Sequence, residues 1–378
     1  MEMSQQAKKE LIKKVKSRYL KSTKEIKSKI LDELCINTNL HRKYLVERLS
    51  AKVDLDYANP INQKRKEFYD ANDIHYLKKI WTIFDYPCGQ RLEPMLEEYI
   101  SVLEKFKELI VPGYVKVKLL KIKSATIDRR LEKFRVFRHK KVFSTTKPGS
   151  LLKKNIPIKT SSWDENRLGF GELDTVAHCG SNASGEFIFS LTFTDICSQW
   201  TISEAVMGKA QIRIKKGLDN INTRLPFPLK GIDPDNGSEF INWQLYNHCL
   251  AKNIEFTRGR PYQKNDNAHI EQKNYTHVRK LIGYKRLDKE HQLNKMNDLY
   301  WNEWDFYKNF FIPNKKLIEK KRVGTKIVKK YDIPKTPYQR LLEHKDFPEI
   351  EKEKLKLIYA KLNPAEIKRN IDKKLSRI

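Results

Sequence analysis

In a chain built mostly of lysine-rich segments with helical spacing, residues 171 to 194 stand apart. The runs Gly-Glu-Leu-Asp-Thr-Val-Ala-His (171 to 178) and Glu-Phe-Ile-Phe-Ser-Leu-Thr-Phe-Thr (186 to 194) are rich in β-branched and aromatic residues. They read as adjacent strands. Leu229 to Asp235 reads as a short strand running into an Asn-Gly turn, and Ile254 to Phe256 as another. Between these two, Ile241, Leu245 and Cys249 recur at helical spacing. From Asp266, which can serve as an N-cap, a further helix is expected to bury Ile270, Val278, Leu281 and Ile282. Strands interleaved with helices point to an α/β domain over 164 to 290.

The charge distribution marks the same region. Residues 1 to 160 carry 37 Lys and Arg against 19 Asp and Glu, residues 161 to 290 carry 17 against 16, and residues 291 to 378 carry 22 against 12. The excess of +29 thus lies on the flanks of a nearly neutral middle. Basic flanks of this kind release counterions from a polyanion and give steeply salt-dependent affinity. At 378 residues the chain should hold two to four domains. The five cysteines, at 35, 88, 179, 197 and 249, form no CxxC pair and read as reduced thiols. With no signal peptide and no apolar run long enough for a membrane, the expectation is a cytoplasmic protein.

Three acids stand out by their flanking words and spacing: Asp174 in the first strand, Asp235 in Gly-Ile-Asp-Pro-Asp-Asn-Gly-Ser-Glu-Phe (231 to 240), and Glu271 in Lys-Asn-Asp-Asn-Ala-His-Ile-Glu-Gln-Lys-Asn (264 to 274). With these words and spacings the segment resembles the catalytic core of DDE transposases and retroviral-type integrases, in particular bacterial insertion-sequence transposases. That resemblance implies an RNase H-like domain with a mixed sheet. It places Asp174 on the first strand, Asp235 at the end of a later strand and Glu271 on a helix beside them. The three carboxylates would hold two Mg²⁺ or Mn²⁺ ions, hard cations that take oxygen ligands. Such a pair, roughly 3.5–4 Å apart, activates the attacking oxygen and stabilises the leaving one. Glu172 and Asp174 share one strand face, as do Asp233 and Asp235, so the choice within each pair follows the family's pattern. His178 would lie on the Asp174 face, as a nearby polar partner or a structural histidine rather than a metal ligand. Glu239 is either a fourth acid or the cap of the following helix. No counterpart of the zinc-binding His and Cys domain of retroviral integrases is present.

The flanks are expected to bind DNA. Residues 1 to 55 read as a helix-turn-helix domain: Ile26, Ile30, Leu31 and Leu34 face inward, Asn37 to Asn39 make the break, and Leu40, Tyr44, Leu45 and Leu49 face inward again. His41, Arg42, Lys43 and Arg48 are then available to duplex DNA. Residues 56 to 137 read as a second helical domain of the same kind, with Ser124 as an N-cap and Thr126, Arg129 and Arg130 near the helix start. Residues 138 to 163 read as a basic linker. After the core, 291 to 378 should form a helix with an aromatic stripe (Leu293, Met296, Tyr300, Trp304, Tyr307, Phe311), then a basic hairpin or small barrel around Val323-Gly324-Thr325, then a charged helical tail. Arg258, Arg260, Tyr262, Lys264 and Lys273 surround the acids in sequence and are further candidates for DNA contact.

The fold class expected is therefore multidomain, with all-α helix-turn-helix modules, a central α/β RNase H-like core and a small basic C-terminal domain. The function the resemblance implies is that of a transposase. It would bind terminal inverted repeats as a homo-oligomer, hydrolyse a phosphodiester at each end, and join the freed 3′-hydroxyl to target DNA. Alternatives are an RNase H-like nuclease without strand transfer, or a DNA-binding regulator derived from a transposase.

Overall fold

The computed structural model describes residues 3–50, 52, 67–135, 166–234, 237–257 and 273–378. They divide into two compact units, Met1–Phe68 and Tyr69–Ile378.

The first unit is a three-helix bundle of α1 (Gln5–Lys21), α2 (Lys24–Thr38) and α3 (Arg42–Leu49). Ser4 caps α1 by accepting the Ala7 N–H, one of the donors a helix start leaves unpaired. Ile12, Ile30, Leu31, Leu34, Leu45 and Leu49 make the core, with Leu40 half-buried beside them. The break falls where expected. Asn39 takes a left-handed conformation at φ 54°, and the buried Thr38 hydroxyl donates back to the Leu34 carbonyl at 2.5 Å. Two residues expected inside are not: Tyr44 and Ile26 are 38% and 46% exposed. Both sit at the rim of their helix's apolar stripe, which three short helices are too narrow to cover.

In the second unit α4 (Ala71–Ile83), α5 (Gly89–Leu92), α6 (Leu96–Lys105), α7 (Gly113–Leu120) and α8 (Ser124–Leu131) come first. A five-stranded mixed sheet follows, made by β1 (Phe170–Ala177), β2 (Ile188–Asp195), β3 (Thr201–Met207), β4 (Gly231–Pro234) and β5 (Glu255–Phe256), in the order β3-β2-β1-β4-β5. The first three strands form an antiparallel meander, and β4 and β5 run parallel to β1. Every residue of β2 is buried, the mark of a strand covered on both faces. On one face lie α9 (Gln211–Arg224) and α10 (Trp243–Ala251). Gly217 lets α9 approach closely, since a Cβ there would meet Leu191 and Val206 at 3.0 Å.

Opposite them pack Asn274–Ile282 and the long helical run Glu290–Phe311, which includes a π-helical stretch at Tyr300–Trp304. Met296, Tyr300, Trp304, Tyr307 and Phe311, the expected aromatic stripe, are buried there. The same run seals the open edge of β3. Asn309 accepts the Thr201 N–H at 2.9 Å and donates to the Thr201 carbonyl at 2.7 Å, and Asn297 does the same for Ala205 at 2.7 and 3.0 Å.

The borders expected at 137 and 290 do not separate compact bodies among the described residues. The Tyr99 hydroxyl donates to the Phe311 carbonyl while the Tyr99 ring stacks on Phe84, and Phe311 meets Tyr359 of the C-terminal helix Glu349–Lys361. One aromatic core therefore joins the helices before and after the sheet, a contact between distant segments that local pattern does not register. The basic segment is a two-stranded hairpin, β6 (Leu317–Val323) and β7 (Lys326–Tyr331), and not a barrel. The tail is helical, as expected. The linker 138 to 163 lies outside the described residues.

Candidate active site

Strand alternation puts Glu172 and Asp174 of β1 on one face, and the parallel register Glu172↔Asp233, Leu173↔Pro234 brings Asp233 of β4 alongside. These acids differ in access. Glu172 is fully buried and Asp233 is 6% exposed, whereas Asp174 is half-buried. Of the two acids on β1, Asp174 is the one a ligand can reach. Its Oδ1 accepts the Thr175 backbone N–H at 2.6 Å, and its Oδ2 accepts an N–H of the Asn274 amide at 2.5 Å. Asp235 follows Pro234 directly in sequence; it and Glu271 lie outside the described residues. Among the described residues no group of three or more His, Cys, Asp and Glu side chains is gathered to hold an ion.

His178 is a structural residue. It is fully buried, its Nε2 is 2.8 Å from the Ser190 hydroxyl, and that hydroxyl is 2.7 Å from the Tyr300 hydroxyl. Burial, assisted by the nearby Arg279 charge, pulls the imidazole pKa down to about 3. Glu239 does not cap α10. Asn242 does, accepting the Leu245 N–H at 2.9 Å, while the Glu239 carboxylate pairs with Lys209 and receives the Thr175 hydroxyl at 3.4 Å. Lys209 is not singled out by the sequence as a neighbour of the acids, and Asn274, placed by sequence within a turn of Glu271 as a group able to address DNA, instead donates to Asp174. For Asn274 a signal existed: it lies three positions after Glu271, the helical spacing that shares a face.

No family model matches the chain. The uncharacterized protein y4rM of Sinorhizobium fredii is 32% identical over 332 residues, which span 88% of this chain and 94% of that protein. The chain belongs to the y4rM family. Among solved structures, the catalytic core domain of BIV integrase aligns with 46% of this chain and 94% of its own, at 13% identity and a TM-score of 0.31.

The candidate DNA contacts of this y4rM relative fall into distinct settings. In the first unit His41 is the N-cap of α3, accepting the Lys43 N–H at 3.2 Å, and Arg42 is tied to Asp32 and Ser28 of α2. Lys43 and Arg48 are exposed, with Arg48 lying over the Tyr44 ring at 5.2 Å. In the second unit the start of α8 is occupied. Lys123, not Ser124, is the N-cap, and Glu93 accepts the Ser124 N–H at 2.7 Å. Gly89 of α5 donates to Asp128 at 2.9 Å, and a Cβ on Gly89 would collide with the Ser124 carbonyl. Arg129 is exposed, whereas Thr126 and Arg130 are half-buried. The first turn of α8 is therefore turned into the protein.

Lys273 corrects an expectation. It is 4% exposed, and its Nζ lies 3.5 Å from the Gln199 carbonyl inside the protein rather than at the surface. Burial, with the charges of Lys308, Arg91 and Arg340 nearby, holds its pKa well below the usual lysine range. The reason is rotational. Lys273 turns toward the Gln199 carbonyl and His277 toward Trp304 of the long helix, whereas Asn274 turns toward β1. Arg258, Arg260, Tyr262 and Lys264 lie outside the described residues. No helix among the described residues is long and apolar enough to cross a membrane, and all five cysteines are free thiols.

Proposed function

We propose that the protein is a DNA transposase of the DDE type, acting on transposon ends and joining them to target DNA. One observation carries the reading: a reachable carboxylate, Asp174, stands on β1 beside a parallel β4 whose last residue precedes Asp235 in sequence. The donor set suits Mg²⁺ or Mn²⁺, since Asp174 offers hard carboxylate oxygens on a face that also carries Glu172 and Asp233, with no thiolate among them. Asp174, Asp235 and Glu271 are the residues we assign to hold the ions. When bound, the ions supply charge neutralisation and alignment for in-line displacement at phosphorus.

The chain's own part is to place the acids and to hold DNA. β1 fixes Asp174 through its ladder with β2 and β4, a rigid support of the kind that catalytic geometry requires. The exposed Lys43 and Arg48 of α3 and the basic flanks supply phosphate contacts and register. In the reaction, water cleaves the phosphodiester at each end, and the freed 3′-hydroxyl then displaces a 3′-oxygen in target DNA, so that no covalent protein intermediate is formed.

The test is a cleavage and joining assay on the inverted repeats flanking the gene, with Mg²⁺ or Mn²⁺. Asp174→Asn, Asp235→Asn and Glu271→Gln should each lower both steps by roughly a thousandfold, about 4 kcal/mol of lost transition-state stabilisation. Joined products from a pre-cleaved end separate a transposase from a nuclease. Equal inertness of the wild type and all three variants on a correct substrate would remove the enzyme reading.

A further inference from the structure

Both oxygens of Asp174 are gripped by the chain. The Thr175 N–H on Oδ1 is a neighbour in sequence, but the Asn274 amide on Oδ2 comes from 100 residues away. Asn274 opens a π-helical turn, Asn274–Arg279, that packs against β1, with the buried Val278 and Ile282 further along the same helix. Single π turns recur at functional sites, where the extra residue re-aims a side chain. The orientation of the amide follows from chemistry: an ionised carboxylate only accepts, so Nδ2 must face it. The other end of the amide, Oδ1, is buried without a hydrogen-bond partner among the described residues. A buried acceptor left without a donor opposes folding. Among the described residues the amide is thus turned toward Asp174 while its own oxygen has no donor.

We propose that Asn274 is a positioning residue for Asp174, fixing the carboxylate rotamer so that it meets a divalent ion already aimed. This rests on the reading of Asp174 as an ion-holding group. Groups that orient a metal's ligands from behind change ion affinity by about 10–100-fold when removed. Asn274 would act in this way without touching DNA or the reacting atoms.

Mn²⁺ binding to the full-length protein, followed by calorimetry and by electron paramagnetic resonance, tests this without relying on turnover. Asn274→Ala should weaken the affinity by about 10–100-fold. In the joining assay it should raise the Mn²⁺ concentration for half-maximal rate by the same factor, with the rate at saturating Mn²⁺ largely restored. Asn274→Ser, whose hydroxyl is too short to reach Asp174, should behave alike and replaces the alanine variant should that one not fold. Unchanged Mn²⁺ affinity in these variants, together with its loss in Asp174→Asn, would overturn the role of Asn274 and leave the reading of Asp174 standing. A lowered melting temperature and saturating rate at unchanged half-saturation would make Asn274 a purely structural residue. Were Asp174→Asn to bind Mn²⁺ as the wild type does, the reading beneath the proposal would fail first.

Discussion

At the scale of single residues, burial sorts the polar groups of the sheet into those that hold the fold and those that can meet a ligand. His178 belongs to the first kind. Its folded pKa of about 3 lies below the ordinary 6.5, so between those values the unfolded chain binds a proton that the native one does not. Its contribution to stability is complete above pH 6.5 and falls as the pH drops toward 3. His178→Gln should therefore flatten the acid limb of the stability curve, removing a slope of up to about 1.4 kcal/mol per pH unit. Urea titrations at a series of pH values would measure it, and an acid limb of unchanged slope would count against this origin. The words around Asp174 single it out for the site we propose, although spacing alone does not separate it from Glu172. Solvent access separates them in the fold. The link from Asn274 to Asp174 was not legible, because no local pattern pairs side chains 100 positions apart.

At the scale of elements, strands with aromatic and β-branched residues declared themselves, as did the hairpin around Gly324. β3 and α9 did not. β3 reads Thr-Ile-Ser-Glu-Ala-Val-Met, with polar residues that make sense only against partners. Glu204 is met by Arg224, Asn220 and Trp301, and the outer backbone edge is met by the side chains of Asn297, Asp305 and Asn309. Tertiary contact therefore overrides a weak local signal. Asn309→Leu would leave both polar groups of Thr201 without their present partners in a buried place. It should cost about 2–4 kcal/mol, from two unmade hydrogen bonds at 1–3 each with partial relaxation. Asn309→Gln, which keeps both the donor and the acceptor of the amide, should cost less. Thermal melts of the two variants give the comparison, and equal melting points would show that the edge is not held by the amide.

At the scale of the whole molecule, the separate cores of the two units make their folding separable. Deleting residues 1 to 68 should leave the principal melting transition in place and retain salt-sensitive binding to duplex DNA. Selective binding to the inverted repeats should be lost with the exposed face of α3. Electrophoretic shifts at several salt concentrations would show it, and selectivity that survived the deletion would move the reader of the ends to the second unit. Charge asymmetry gave early notice of basic flanks around a neutral core, but not of how tightly 69–135 and 290–378 are welded to the sheet. The asparagine-lined rim of β3 also limits how copies of the chain can come together. A strand from a neighbouring molecule has no vacant ladder to join on that side, so assembly there must proceed through side-chain surfaces, and accidental fibre growth along that seam is blocked.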